Sequence, residues 1–321
     1  LQNATKKPPV WLAYTAAFLG VCSHASSEFF AKLSGLQGGE TSVWRFMLGG
    51  AALLVVALLG RESRDLMTPL RKDFLAIVCL SLFGMALAQF IFHLSLDYAS
   101  AVQVATMVTI MPIVVVFVAR VVEGTPITTA KLISGIGAFL GCMLLLTDGY
   151  LAELQGSGTS LRGVLMALTC AILGATYLVL VKPYIQRYGA VRMTTYTFVL
   201  GFFALWTVVG LIWGNWVNPL SLPDRPPVQM GSILALGIWN TCIGFVLWFW
   251  GLSNVPDVAR GNYLFFLKPV LALILAYFLL AETITATQLL AIFAITAFVA
   301  AEIFYDQIVA WRNERRAGKT T

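Results

Sequence analysis

The sequence predicts an all-α integral membrane protein whose ten transmembrane helices form two inverted-topology five-helix repeats. Composition is the first reason: 59% of the 321 residues are hydrophobic and 11% are charged, where an ordinary soluble domain carries about 25% charged residues. The second is that runs of roughly 20 apolar residues recur along the chain, each long enough to cross a hydrocarbon core of about 30 Å as a helix. The third is internal repetition. A shift of 157 residues carries Met111-Pro112 onto Lys268-Pro269, Ala119 onto Ala276 and Ile127-Thr128 onto Ile284-Thr285, so the chain reads as two copies of one unit.

The ten predicted spans fall at about 11–33, 41–59, 74–96, 100–120, 127–147, 161–182, 193–213, 229–251, 257–279 and 285–305. Sixteen of the 21 basic residues lie in alternate loops and in the two termini, and only Arg162 and Arg225 lie in the opposite loops. By the positive-inside rule both termini are cytoplasmic, in a cell inner (plasma) membrane. The net charge of +6 is thereby a topology signal, and no nucleic-acid partner is expected. The first span is too long for a cleaved leader and is expected to remain. Five cysteines, all inside predicted spans and without CxxC or Cys/His spacing, read as free thiols packed among apolar groups; no metal site and no cofactor is expected.

In chain order, the first span turns polar towards its end, where His24, Glu28 and Lys32 share one helix face. Arg45, near the predicted start of the second span, reads as an anchor at the membrane boundary. The third carries Gln89 and His93 four residues apart on one face and turns tightly into the fourth at Leu96-Asp97-Tyr98. Pro112 and Pro269 are expected hinges in the fourth and ninth spans. Gly137 and Gly141 have GxxxG spacing, a packing signal that fits either the interior of the fold or a homodimer. The segment 146–160 joins the halves, dividing the chain into a first five-helix module, 1–150, and a second, 151–321. With five spans per module, the second enters the membrane in the opposite orientation, the arrangement of secondary transporters with a substrate site near the midplane between repeats.

The run Leu96-Asp97-Tyr98-Ala99-Ser100-Ala101, Pro112, Glu123 and the glycine-rich helix after it resemble the EamA-type module of the drug/metabolite transporter superfamily. The theme recurs through Gly251-Leu252-Ser253-Asn254-Val255, Pro269 and Glu282. The resemblance covers nearly the whole chain. It implies movement of a small metabolite by alternating access, often outward across a bacterial inner membrane. Glu123 stands two positions earlier relative to its proline than Glu282 does, so both glutamates are expected to order the turn before a helix.

Lys268 lies eleven residues into its predicted span, near mid-bilayer, where a charge costs about 2.5–3.5 kcal/mol and calls for a wet cavity or a partner. It is expected to bind an anionic group of the substrate, with Pro269 freeing the Phe265 carbonyl one turn earlier. Trp239, Asn240, Tyr177, Asn262 and Tyr263 lie at similar depth and join Gln89, His93 and His24 as candidate substrate-binding residues. Glu28, His24 and His93 are candidate proton or ion carriers. Trp248 and Trp250 are expected to face lipid. The function expected is export of small metabolites such as amino acids. Exchange of phosphorylated sugars or nucleotides on the same fold would require a second cation beside Lys268, and none stands at its predicted depth; a multidrug exporter is a further alternative. An enzyme is not expected, since two histidines without HExxH or a Walker motif offer no catalytic set. A receptor or scaffold would call for a large partner-binding domain outside the membrane.

Overall fold

The computed structural model describes residues 8–60, 63–99, 101–147, 161–280 and 284–309. The module junction near 150, Glu282 and the basic tail lie outside the described residues. Helix α1 runs Val10–Ala25 and, after a break at Ser26, Ser27–Leu33. It is followed by α2 (Gly38–Leu59), α3 (Met67–Ser95), α4 (Ala101–Val108 and Met111–Glu123) and α5 (Thr129–Thr147). The second half comprises α6 (Leu161–Tyr188), α7 (Ala190–Trp213) and α8 (Pro227–Asn254). Next come α9 (Val258–Asn262, a 3₁₀ stretch Tyr263–Leu267, then Lys268–Leu280) and α10 (Ala286–Ile303). Among the described residues nine of these are long and apolar enough to span, and α1, in two pieces, stands as the tenth.

The halves pack as the repeat requires. α1 lies along α8, and α6 lies along α3, which is the same pairing with the modules exchanged; α2 pairs with α7 and α5 with α10, each with its own counterpart. A finer match lies in the helices themselves. α3 is π-helical over Leu80–Ala86 and α8 over Leu236–Ile243, and the 157-residue shift carries one stretch onto the other. Close crossings use small residues: a Cβ at Gly251 would sit 2.5 Å from the Ala17 amide nitrogen, and one at Gly20 2.8 Å from that of Trp248. Gly137 and Gly141 pack against Phe298 and Ile295 of α10. Their GxxxG face is thus used inside the fold, and a homodimer would need another surface.

Ion pairs staple the modules at both ends of the bundle. At the end rich in Lys and Arg, here the basic end, Lys131 meets Asp257 at 2.5 Å, Lys182 meets Glu123 at 2.9 Å and Arg187 meets Asp73 at 3.0 Å. At the opposite end Arg225 meets Glu40 at 2.6 Å. Glu40 also accepts from Trp44 Nε1 and Asn215 Nδ2. Cys79 is exposed on the bundle surface, while Cys142, Cys170 and Cys242 are buried; all five thiols are free, as expected.

Candidate functional site

A cavity of about 70 Å³, open to the centre of a water-sized molecule, lies between the modules. It is walled by α1–α4 from the first and α6, α8 and α9 from the second. The repeat explains its position. Ala88 and Phe245, Phe92 and Phe249, Val108 and Phe265, and Met111 and Lys268 all line it, and each pair is separated by 157 residues, so the cavity sits on the pseudo-twofold relation between the halves.

Lys268 opens the last segment of α9. Pro269, having no N–H, cannot continue the ladder from the preceding turn, and the chain tightens into the 3₁₀ stretch before it. The expected free carbonyl at Phe265 is corrected here: it accepts the Lys268 N–H. The ammonium is directed at aromatic faces, 5.7 Å from the ring centre of Phe92 and 5.6 Å from that of Phe265, a geometry in which the ring quadrupoles attract the cation. Pro112 stands in the equivalent place, second in the Met111–Glu123 segment after a turn at Thr109-Ile110.

Arg45 corrects the boundary-anchor expectation. It is 3% exposed and lines the same cavity as Lys268. Its Nε donates to Thr241 Oγ1 at 3.0 Å and its Nη1 to Gln89 Oε1 at 3.0 Å, with the guanidinium 5.5 Å from the Phe245 ring centre. The π-helical turn in α8 makes this possible, because the Thr241 hydroxyl gives its own hydrogen to Leu236 O, five residues back, and leaves a lone pair for Arg45. His93 stands behind this group, with Nδ1 2.7 Å from Ser42 Oγ and Nε2 3.5 Å from Arg45 Nη1. Since Arg can only donate, the contact suits a neutral ring with its proton on Nδ1.

His24 lines the cavity, its ring edge-on to Phe245 at 4.5 Å, and its Nε2 has no hydrogen-bond partner among the described residues. The break after it has a clear cause. Ser23 Oγ donates to Trp239 O, Asn240 Nδ2 donates to Ser23 O and Ser26 Oγ, and Trp239 Nε1 donates to Ser26 Oγ. These bonds satisfy backbone and hydroxyl groups that the interrupted helix leaves open.

The structure thus brings Lys268, Gln89 and His24 to the cavity, with His93 one layer out. Asn240 and Trp239 hold the α1 break instead, and Trp239 is 40% exposed. Tyr177 is bonded to Thr197 Oγ1 at 2.8 Å, and Tyr263 donates to Lys131 O. Asn262 is fully buried, and neither side-chain polar atom has a partner among the described residues. Glu28 is in the second piece of α1, its side chain outside the described residues. Trp248, expected to face lipid, is buried and lines the cavity, and Trp250 is partly buried.

A ten-span helical bundle of two pseudosymmetric halves, around a largely apolar central cavity that holds Arg45 and Lys268, is the architecture of a membrane transporter of small molecules. The profile of the EamA-like transporter family matches residues 11–147 and 161–301, and the chain belongs to that family, within the drug/metabolite transporter superfamily. Its relatives include the uncharacterized transporter YyaM of Bacillus subtilis, 25% identical over 74% of this chain and 75% of the relative. An uncharacterized transporter of Archaeoglobus fulgidus is 23% identical over 85% and 90%. A probable terminal-alkyne amino-acid exporter of Streptantibioticus cattleyicolor is 24% identical over 80% and 82%. One solved crystal structure shares the fold with a TM-score of 0.75, covering 92% of this chain and 98% of that one at 19% identity.

Proposed function

We propose that this transporter exports small metabolites bearing a carboxylate, amino acids foremost, across the plasma membrane by alternating access, with its basic end in the cytoplasm. The observation that carries the reading is the presence of Lys268 and Arg45 in the wall of one cavity between the repeats. Two cations framed by aromatic faces attract an anionic group and leave apolar room for its side chain. The relative named as an amino-acid exporter supports the substrate class.

Arg45 also supplies the second cation that exchange of phosphorylated sugars or nucleotides would require. Size favours the smaller substrate. At about 10–15 Å³ per water, the cavity of about 70 Å³ has room for a handful of waters, which supports a small metabolite over a nucleotide.

The test is efflux and counterflow in proteoliposomes with labelled amino acids, organic acids, sugar phosphates and cationic drugs. Saturable amino-acid flux that falls about 10-fold or more in both Lys268→Gln and Arg45→Gln is expected, since a hydrogen bond to a charged group contributes about 1.5–3 kcal/mol. Wild-type flux in both variants, or flux of cationic compounds alone, would overturn the assignment.

A further inference from the structure

At the basic end, away from the cavity, α9 and α10 hold a charge cluster. Asp257 caps α9 by accepting from the Ala259 and Arg260 amides and pairs with Lys131 of α5, itself 2% exposed. Arg260 divides its guanidinium: Nε donates to Glu302 Oε1 at 3.2 Å and Nη1 to Asp306 Oδ2 at 2.5 Å, and it also lies 5.6 Å from the Tyr305 ring centre. Tyr14 of α1 and Tyr263 of α9 are the other titratable neighbours within electrostatic reach.

Among the described residues the cluster has three carboxylates, Asp257, Glu302 and Asp306, against two cations, Lys131 and Arg260. Among the described residues one negative charge is therefore left over. Asp306 is 77% exposed on its side chain and solvated, and Asp257 has a cation and two amides. Glu302 is wholly buried, and its Oε2 has no hydrogen-bond partner among the described residues. The surplus is least tolerable there, because a buried carboxylate short of partners is relieved by becoming neutral.

We propose that Glu302 is a proton-binding site of the transport cycle. The carboxylate takes a proton from water at the basic end onto Oε2, becomes a neutral carboxylic acid, and returns the proton to water when the cluster opens. The link to substrate runs along α9. Arg260 stands eight residues before Lys268, so neutralising Glu302 leaves Arg260 to Asp306 and frees the Val258–Asn262 segment to shift against the 3₁₀ stretch that positions Lys268. This coupling rests on the transport reading above; the proton site itself does not.

Infrared titration of the purified full chain in liposomes, with no substrate present, tests the site. A carboxylic-acid C=O band that disappears as pH rises is expected in the wild type and should be missing in Glu302→Gln, which keeps the acceptor for Arg260. Asp306→Asn removes one competing carboxylate, and the band's midpoint should move down by about 0.5 pH. A band unchanged in Glu302→Gln, or a midpoint unmoved in Asp306→Asn, overturns the proposal. In a second arm, a pH gradient should drive amino-acid flux several-fold in the wild type and not in Glu302→Gln, with gradient-free counterflow kept. If the band behaves as expected and no amino acid is carried, the substrate assignment fails and the proton site stands.

Discussion

At the scale of the residue, the charged groups show how far depth along a helix can be counted from sequence. Lys268 was legible because it lies deep in its span whichever end is counted from. Arg45 was not: the apolar run suggests a start near residue 41, while the helix begins at Gly38. Three further residues at 1.5 Å each put Arg45 about 10 Å in from the end of α2 and into the cavity. Asn240 and Tyr177 show the converse, since depth marks a polar group as enclosed without saying which neighbour satisfies it. Asp65, in the turn before α3, gives a test at this scale. Its Oδ1 accepts from the Met67 and Thr68 amides, and hydrogen bonds from Thr68 first of all hold its carboxyl below the usual carboxylate value. A lowered carboxyl stabilises the fold above its ordinary pKa and loses that contribution as pH falls through the lowered one. Asp65→Ala should therefore lower the thermal midpoint at pH 7, by a margin that closes on acidification below the carboxylate range; a gap independent of pH would show that the charge is irrelevant.

The spans themselves were readable to within about seven residues at either end, the start of α3 at Met67 being the widest miss, because hydrocarbon permits few alternatives to a continuous helix, and the two prolines marked the interruptions of α4 and α9. What periodicity and hydropathy do not carry is the interruption made without proline. The break at Ser26 depends on cross-module hydrogen bonds, and the π-helical turns of α3 and α8 carry no proline to mark them. Helix contact supplies the prediction here. At the α1–α8 crossing, a side chain at Gly251 would meet the backbone of Ala17, which cannot yield as a flexible side chain can. Gly251→Val should cost about 1–3 kcal/mol, read as a lowered unfolding midpoint in detergent, whereas the same change at Gly231, with nothing within 4 Å, should be tolerated there.

For the whole molecule, the alternating access proposed above would have the seals at the two ends open in turn, and among the described residues Glu40 with Arg225 is the ion pair between modules at the end opposite the basic one. Glu40→Arg and Arg225→Glu should each weaken that seal and cut transport several-fold, and the double exchange should restore much of it. Cys170, in the cavity wall, offers a native reporter. Labelling by a membrane-impermeant thiol reagent from that face should rise in the single variants and return toward wild type in the double. Equal labelling in all four proteins would show that the pair does not guard the cavity. The matched π-helical turns bear on ancestry. An extra residue shared at the same place in α3 and α8 is most simply inherited, so the widened turn is older than the duplication that made the chain. Lys268 corresponds to Met111 and, by the alignment of Trp44–Gly49 with Tyr196–Gly201, Arg45 corresponds to Thr197. The positive charges thus have no twin in the other half: the repeat reproduces the hollow, while each half contributes its own cation to it at a different place.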